Sequence, residues 1–584
     1  MESEPYFYHP LENIEDIDTF ESAVGRDHLT RAISVGRPYT YWTIEIYDQE
    51  NGIRGGGGLG VLAADTRRIA EQMDIPFVLV TPFYPFETRQ VMNGDTVIDE
   101  HVPVDYHKFG FQFMDAVNIK CCDRLCKLDI IEKRFESTRI VCVTEPNFGE
   151  LYSGMSGSDH RLYQEVSLGF GGYAALKLLG LKPAIMHLNE VATFFAALAR
   201  LDELSSNGMD FYEAVVYTRK HTLYTNHTLV QAAEAEFSYG QFERFVFPNL
   251  KSAAVKKWIS DKFSDGKLKL SSVAIEIAEL RSGVSKLHTR VADYRDIVGN
   301  KVKFKPITNG IDLERWVLPG ILDFYKDNEI LDEDGLPTEN YTEKLETLTA
   351  DKIRELKSLG RHVLNDALIN RPDQNGKILH FDDNDFIFDF KRRFVDYKRP
   401  NLPFSDPARL REILEPRGAH YIIAGRIHTG DIRMATILKK LIWTIKSDAY
   451  LNEHVHYLPD YDEKLAYALS VGSNTAINVP IVGLEACGTS WEKDVANLGL
   501  LVSTHDGGVA DAPTDSYLNV RGADEGEETN ELYRRMEEAI DIWDNDFDLE
   551  FMIRRQLAAY LPIVSGTRML RDYLEYLFGG VKKS

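Results

Sequence analysis

Cysteine is scarce: five in 584 residues, too few and too odd in number for a disulfide scaffold. Three of them, Cys121, Cys122 and Cys126, lie close together, but no second cluster or His pair completes a zinc-binding spacing. Free thiols on or near a strand are the better reading, with no metal site. Long apolar runs are also missing. No stretch approaches the roughly 18 residues of a membrane span. The opening MESEPYFYHP is acidic and lacks the basic-then-apolar order of a secretory leader. A cytoplasmic location and no membrane partner are expected. Positive charge is short as well: 67 Lys and Arg stand against 91 Asp and Glu, a net charge of −24. This balance argues against nucleic acid as a partner, because binding a phosphate backbone needs a basic face. It leaves room for a small anionic ligand in a pocket that gathers a few cations.

The length allows roughly two to four domains. In the first half, strand-like and helix-like segments alternate. Tyr39–Tyr47 is rich in aromatic and β-branched residues and reads as a strand. A helix follows the glycine run, with Leu59, Leu62, Ile69 and Met73 on one face. Phe77–Val80 is a buried strand, Tyr163–Leu179 a helix, Ala184–His187 a short strand and Asn189–Leu204 a further helix. Such alternation implies right-handed crossovers on a parallel sheet. Tyr325–Lys377 is acidic and helix-like. A second alternating half then carries strand candidates at Phe386–Phe390, Tyr421–Ala424 and Val455–Leu458. The tail from Glu531 to Phe578 reads as helical with a break near Leu561–Pro562. No solenoid period is present. The expected class is α/β, as two α/β domains with a cleft between them.

Several motifs carry chemistry, and each has a plainer reading beside it. Gly55, Gly57 and Gly60 satisfy GxGxxG, but the next strand leads to Thr81-Pro82-Phe83-Tyr84, with no carboxylate before Glu87. What remains is glycine-rich backbone entering a helix N-terminus, suited to a phosphate; the plain alternative is a tight turn needing positive φ. Lys391-Arg392-Arg393, with Lys398-Arg399, follows the Phe386–Phe390 strand. Ligands of open α/β sheets bind at that end, so an anion site is favoured over a solvated basic turn. In Gly483–Asn497, Lys493 lies just beyond Gly488-Thr489-Ser490 in a helix-compatible segment. A lysine beside a phosphate cradle can form a Schiff base with pyridoxal phosphate, although most helix lysines are surface residues. His187 and His227 each read singly as hydrogen-bonded core or loop histidines.

In order along the chain, these pieces resemble the α-glucan phosphorylases (glycogen, starch and maltodextrin phosphorylases), especially their shorter prokaryotic branch. The resemblance spans Thr40 to Asp511. It is carried by IEIYDQENGIRGGGGLGVLAAD, DHRLYQEVSLGFGG, HLNE, YTNHTLVQAAEAEF and GVSKLH, then by ITNGIDLERW, KRRFVDYKR, AGRIHTGD, YLPDYD and LEACGTSWEKDVANLG. It implies a GT-B fold, with Rossmann-like domains at 1–315 and 316–530 and C-terminal helices at 531–584 crossing back. It further implies that Lys493 holds pyridoxal phosphate, with Gly57, Gly58, Arg392 and Thr489 near the cofactor phosphate. Arg393 and Lys398 match the residues binding substrate phosphate. Glu485, Gly488, Asn309 and His227 match contacts to the transferred glucose, the His227 carbonyl also facing the developing oxocarbenium ion. The implied reaction is reversible phosphorolysis of an α-1,4-glucan or maltodextrin by inorganic phosphate, giving α-D-glucose 1-phosphate with retention. In it the cofactor's phosphate relays a proton, and no metal is needed. Dimers are common in the family, though no interface signature is readable here.

Two alternatives remain at this stage. A nucleotide-sugar-dependent GT-B transferase would carry a second Glu eight residues after Glu485, where Lys493 stands. A non-catalytic glucan-binding relative would have no reason to keep Lys493, Arg393, Lys398, Glu485 and His227 together. The chain also departs from the family. Val191-Ala192 follows Glu190 where Gly-His or Thr-His is usual, Val395 replaces a His and Gly56 an Asn of the animal enzymes. Trp491-Glu492 precedes the lysine, and is expected to add bulk and negative charge beside it.

Overall fold

The computed structural model describes residues 32–53, 55, 57–151, 157–229 and 235–578; Gly56 and part of the YTNHTLVQAAEAEF segment lie outside them. Two large sheets organise the chain. The first has nine strands in the spatial order Lys305–Pro306, Leu280–Gly283, Thr222–Asn226, Ile185–Asn189, Tyr39–Trp42, Phe77–Pro82, Thr138–Thr144, Arg124–Arg134, Gln112–Cys121. All neighbours are parallel except the last two pairings, which are antiparallel. The second sheet has six strands, all parallel: Val455–Leu458, His420–Ala424, Ile387–Lys391, Thr475–Asn478, Leu500–Thr504, Leu518–Val520.

In both, the chain lays down a central strand, fills one side of it, then returns to the other side of that strand and continues; in the first sheet the filled side is completed from its edge inward, by Gln112–Cys121, Arg124–Arg134 and Thr138–Thr144. This is the order of doubly wound nucleotide-binding sheets, and it leaves a crevice where the order reverses, outside the carboxyl ends of the strands. In the first sheet the reversal falls between Tyr39–Trp42 and Ile185–Asn189, in the second between Ile387–Lys391 and Thr475–Asn478. Strands covered on both faces must be apolar throughout, and Phe77–Pro82 is buried at every position.

Several local expectations shift. The first strand ends at Trp42 rather than Tyr47, because Thr43 Oγ1 bonds the Glu45 carbonyl at 2.8 Å and turns the backbone out of the ladder. The helix expected from Asn189 begins at Phe194, since Asn189 is the last strand residue. Leu59 and Met73, placed on the core face, are only half-buried, whereas Leu62 and Ile69 are buried. The antiparallel strands between Phe86 and Arg134 were not anticipated; one signal for them is Gly94-Asp95, the two-residue turn of the Phe86–Asn93 and Thr96–Pro103 hairpin, with Gly94 at φ 64°.

The tail forms helices Glu525–Asp544, Asp546–Val564 and Gly566–Phe578. The break expected at Leu561–Pro562 comes instead at Ser565. Pro562 has no N–H for the Ala558 carbonyl, and the Tyr341 hydroxyl takes that carbonyl at 2.6 Å, so the helix continues past it. At Ser565 the chain pairs with Ile311: Ile311 N donates to Val564 O and Gly566 N to Ile311 O, both at 2.8 Å. The first two helices pack in one core with Phe386, Phe388 and Leu500. The last buries Met569, Leu570, Tyr573, Leu574 and Leu577 against Tyr39 and Phe77 of the first sheet and Ile69 of the helix Gly58–Gln72.

Candidate active site

Chemistry-bearing residues gather at the carboxyl ends of the central strands. Glu45 lies just past Tyr39–Trp42, Glu190 follows Asn189, His227 follows Asn226, and Arg392 and Arg393 follow Lys391. The loop after Thr475–Asn478 carries Glu485, Gly488 and Thr489. A cavity of about 330 Å³ is lined by Glu45, Gly58, His227, Asn309, Arg393, Lys398, Glu485, Gly488 and Thr489, among others. A smaller one of about 90 Å³ is lined by Gly57, Gly58, Trp316, Arg392, Arg393, Lys398, Gly488, Thr489 and Lys493, among others. Gly58, Arg393, Lys398, Gly488 and Thr489 belong to both walls. His227, Arg392, Arg393, Lys398, Lys493, Gly57, Gly58, Thr489, Glu485, Gly488 and Asn309 thus each lie on one cavity or the other.

The glycine run opens the helix Gly58–Gln72, with Gly57 as its N-cap. Among the described glycines of this run, Gly55, Gly57, Gly58 and Gly60, none has positive φ. Close approach requires them instead. A Cβ on Gly55 would lie 2.7 Å from the Ile46 carbonyl oxygen, one on Gly60 2.9 Å from Tyr47 N, and one on Gly57 3.0 Å from Glu45 Oε1. The Gly57 N–H donates to Glu45 Oε2 at 3.0 Å.

Of the basic run, Lys391 and Arg399 are structural. Arg399, at φ 50°, donates to the Val479 and Pro480 carbonyls at 2.9 and 3.2 Å. Arg392, Arg393 and Lys398 face the cavities. Arg392 donates to Glu485 Oε2 at 2.6 Å, and Lys398 Nζ lies 3.7 Å from the same oxygen. Burial and then the neighbouring Arg392 push Lys398 down to about 7. Burial alone would raise Glu485, but Lys398 and Arg392 outweigh it and hold the carboxylate below its ordinary value. Arg392 Nε and Nη1 are buried and make no hydrogen bond among the described residues. Two fixed guanidinium donors in a wall with further cations suit an anion such as phosphate. A Cβ on Gly488 would meet Arg392 Nη2 at 2.5 Å, so only glycine leaves the guanidinium its place.

Lys493 sits in the short helix Ser490–Ala496, capped by Thr489, with its Nζ 3.1 Å from the centroid of the Trp316 ring. Burial lowers its amine to about 7, with buried Asp65 opposing the shift. Asp65 accepts Trp316 Nε1 at 2.9 Å and pairs with Arg315 at 2.6 Å; Arg315 reaches on to Glu463 at 2.7 Å. A lysine amine that is substantially neutral near pH 7 is poised to attack an aldehyde. Trp491 and Glu492 do not crowd it. Trp491 packs against Tyr560, ring centroids 4.9 Å apart. Glu492 is fully buried, and that burial raises its carboxyl well above the usual carboxylate range.

His227 donates its backbone N–H to Glu190 Oε1 at 2.7 Å, and its Nε2 bonds Asn189 Oδ1 at 2.5 Å. Burial, helped by His288, holds it at about 3, so the ring is neutral. Glu190 itself has φ 76°, a conformation costing about 1–3 kcal/mol and kept where the surroundings demand it. His187 is a core histidine, bonded to Tyr39 and Thr225 at 2.7 Å each. Asn309 donates to the Cys487 carbonyl at 3.2 Å while its Oδ1 is buried without a hydrogen bond. Glu45, Asp65, Arg315 and Trp316 were not picked out from the sequence. Their motifs were visible, but nothing in the spacing shows that they converge on Gly57 and Lys493.

The carbohydrate phosphorylase family profile matches residues 184–555. The chain is 25% identical to a glycogen phosphorylase of Mycobacterium tuberculosis over 90% of its own length and 69% of that protein. It is 24% identical to a maltodextrin phosphorylase of Thermococcus litoralis, over 89% and 68% of the two chains. It is 26% identical to a glycogen phosphorylase of Aquifex aeolicus, over 73% and 67%.

Proposed function

Because the chain belongs to the carbohydrate phosphorylase family, we propose that it catalyses reversible phosphorolysis of an α-1,4-glucan to α-D-glucose 1-phosphate with retention. The single observation that carries the chemistry is the shared wall. Arg393, Lys398, Gly488 and Thr489 border both the larger cavity and the small pocket of Lys493. Two phosphate groups side by side repel strongly, and a common set of fixed cations and backbone donors is what makes such a pair tolerable. The two sheets are read as the Rossmann-like domains of a GT-B fold, 1–315 and 316–530, facing across a cleft, with helices 531–584 returning to the first.

The donor set fits pyridoxal phosphate. Lys493 would hold its aldehyde carbon, and the open Arg392 donors, Thr489 and the Gly57–Gly58 helix start its phosphate. When bound, it supplies a phosphate that exchanges a proton with substrate phosphate. The protein's own groups do the rest. Arg393 and Lys398 bind and orient inorganic phosphate, Lys398 gaining a full charge as the anion enters. Glu485, Asn309 Oδ1 and Gly488 N–H take hydroxyls of the transferred glucose. Neutral His227, fixed by Asn189 and Glu190, turns its carbonyl toward the positive charge developing at C1. Substrate phosphate gives its proton to the departing glycosidic oxygen and bonds C1 from the same face. The glucan or maltodextrin, inorganic phosphate and glucose 1-phosphate are the partners.

Borohydride reduction of the protein, followed by peptide mass spectrometry, tests the reading. A pyridoxyl adduct on Lys493 is expected; its absence after incubation with excess cofactor would overturn the mechanism. Arg393→Ala should strongly depress phosphorolysis while leaving the cofactor bound, and an unchanged rate would remove Arg393 from the phosphate site.

A further inference from the structure

Beneath the pocket of Lys493 lies a cluster of charges of which Lys391 alone reaches the pocket wall. Lys391 Nζ contacts both oxygens of Asp389 at 3.0 Å and is also hydrogen-bonded to Asp494. All three are almost completely buried, at 2%, 1% and 3% exposure. Lys357, buried as well, donates to the Asn497 carbonyl at 3.2 Å. Burying such charges is expensive, and well-packed apolar residues hold a core together as well or better. The cluster is therefore poorly explained as a source of stability.

Its placement is informative. Asp494 is the residue after Lys493, and Lys391 is the residue before Arg392. The helix between Thr489 and Asn497 is only Ser490–Ala496, far too short to hold its orientation unaided. Two pins hold it. Asp494 ties its middle to the strand end at Lys391. Asn497 ties its end, donating to the Lys493 carbonyl and the Trp316 carbonyl at 2.8 Å each.

We propose that the Asp389–Lys391–Asp494 cluster is a positioning device that locks the Lys493 helix to the strand end bearing Arg392 and Arg393, and so sets the geometry for pyridoxal phosphate. The cluster touches no reacting atom; it acts through Lys493 and Arg392. This inference rests on the role proposed above for Lys493.

The test is the double variant Lys391→Met/Asp494→Leu, which removes one charge of each sign and keeps the volume. Two measurements are needed: the thermal midpoint without cofactor, and the dissociation constant for pyridoxal phosphate by titration. The midpoint should fall, because Asp389 loses both of its contacts to Lys391, and the dissociation constant, read well below that midpoint, should rise about tenfold or more, as expected for misplaced ligating groups. Asp494→Asn, which keeps an acceptor for Lys391, should retain the parent affinity within about threefold, whereas Asp494→Ala should lose about tenfold. Those single variants decide the matter if the double variant does not fold. Parent-like affinity in the double variant, or equal affinity for Asp494→Asn and Asp494→Ala, would overturn the inference while leaving Lys493 in its role. Failure of the parent protein to take up pyridoxal phosphate would instead overturn the proposed function.

Discussion

Glu485→Gln separates the electrostatics of the empty pocket from those of the anion-bound one. Glu485 is the carboxylate facing Arg392 at 2.6 Å and Lys398 at 3.7 Å. At an effective dielectric of about 20, a charge pair 3.7 Å apart attracts by about 4.5 kcal/mol. Removing one member of a buried pair costs about 3–5 kcal/mol, because the other is left uncompensated. Glutamine keeps an acceptor for Arg392, so about 3 kcal/mol is expected, and the protein without phosphate should melt several degrees lower. Phosphate should then recover more in the variant than in the parent, since Arg393 and Lys398 meet it with no competing carboxylate. Each 1.4 kcal/mol so regained is about tenfold in phosphate affinity. The assay is a thermal melt across a phosphate series below about pH 7, where Lys398 carries its proton. Phosphorolysis should fall in the same variant, because Glu485 is also proposed to hold a glucose hydroxyl. A variant as stable as the parent without phosphate, or one that responds less to phosphate, would refute the reasoning.

Three further outcomes follow from particular contacts. Capture of pyridoxal phosphate by Lys493 should speed up as pH rises through about 7, the amine losing its proton there; stopped-flow absorbance that shows no rise until about pH 10 would contradict this. Gly488→Ala, whose Cβ falls 2.5 Å from Arg392 Nη2, should displace the guanidinium and weaken cofactor retention on dialysis, whereas an unchanged retention would mean that Arg392 is not needed there. Burial holds His288 at about 3, well below the ordinary 6.5 of an exposed histidine. As pH drops below about 6.5 the unfolded chain takes up this proton first, so stability falls toward pH 3, by up to about 2 kcal/mol at pH 5. Urea midpoints at the two pH values in His288→Gln and the parent should converge at the lower pH; identical slopes would exclude the effect.

Local chemistry was legible wherever one residue type is forced by its immediate neighbours. Phe77–Pro82, Ile387–Lys391 and Val455–Leu458 could be read as strands because a sheet covered on both faces demands continuous apolar side chains. The Gly57–Gly58 helix start and the helix bearing Lys493 were readable from glycine and from Gly488-Thr489-Ser490. The long antiparallel strands up to Arg134 escaped notice, since their half-exposed alternation is a weaker pattern than a buried run. The glycine run left a phosphate cradle and a tight turn equally open, because the close approach of Gly55 and Gly60 to Ile46 and Tyr47 depends on residues that only folding brings there.

The sequence by itself determined the class of sheet, the order of its segments and the inventory of cations, glycines and lysine, since these follow from composition and short-range spacing. Only the tertiary structure decided their charges and partners. Glu492 looks like an ordinary acidic neighbour of Lys493 until burial raises its carboxyl well above the usual range. Lys391 looks like part of a phosphate-binding run until Asp389 and Asp494 claim it. Pro562 looks like a break until Tyr341, more than two hundred residues earlier, takes the carbonyl it abandons. In each case the deciding quantity is a desolvation penalty or a hydrogen bond between residues far apart in the chain, and neither exists before the sheets have formed.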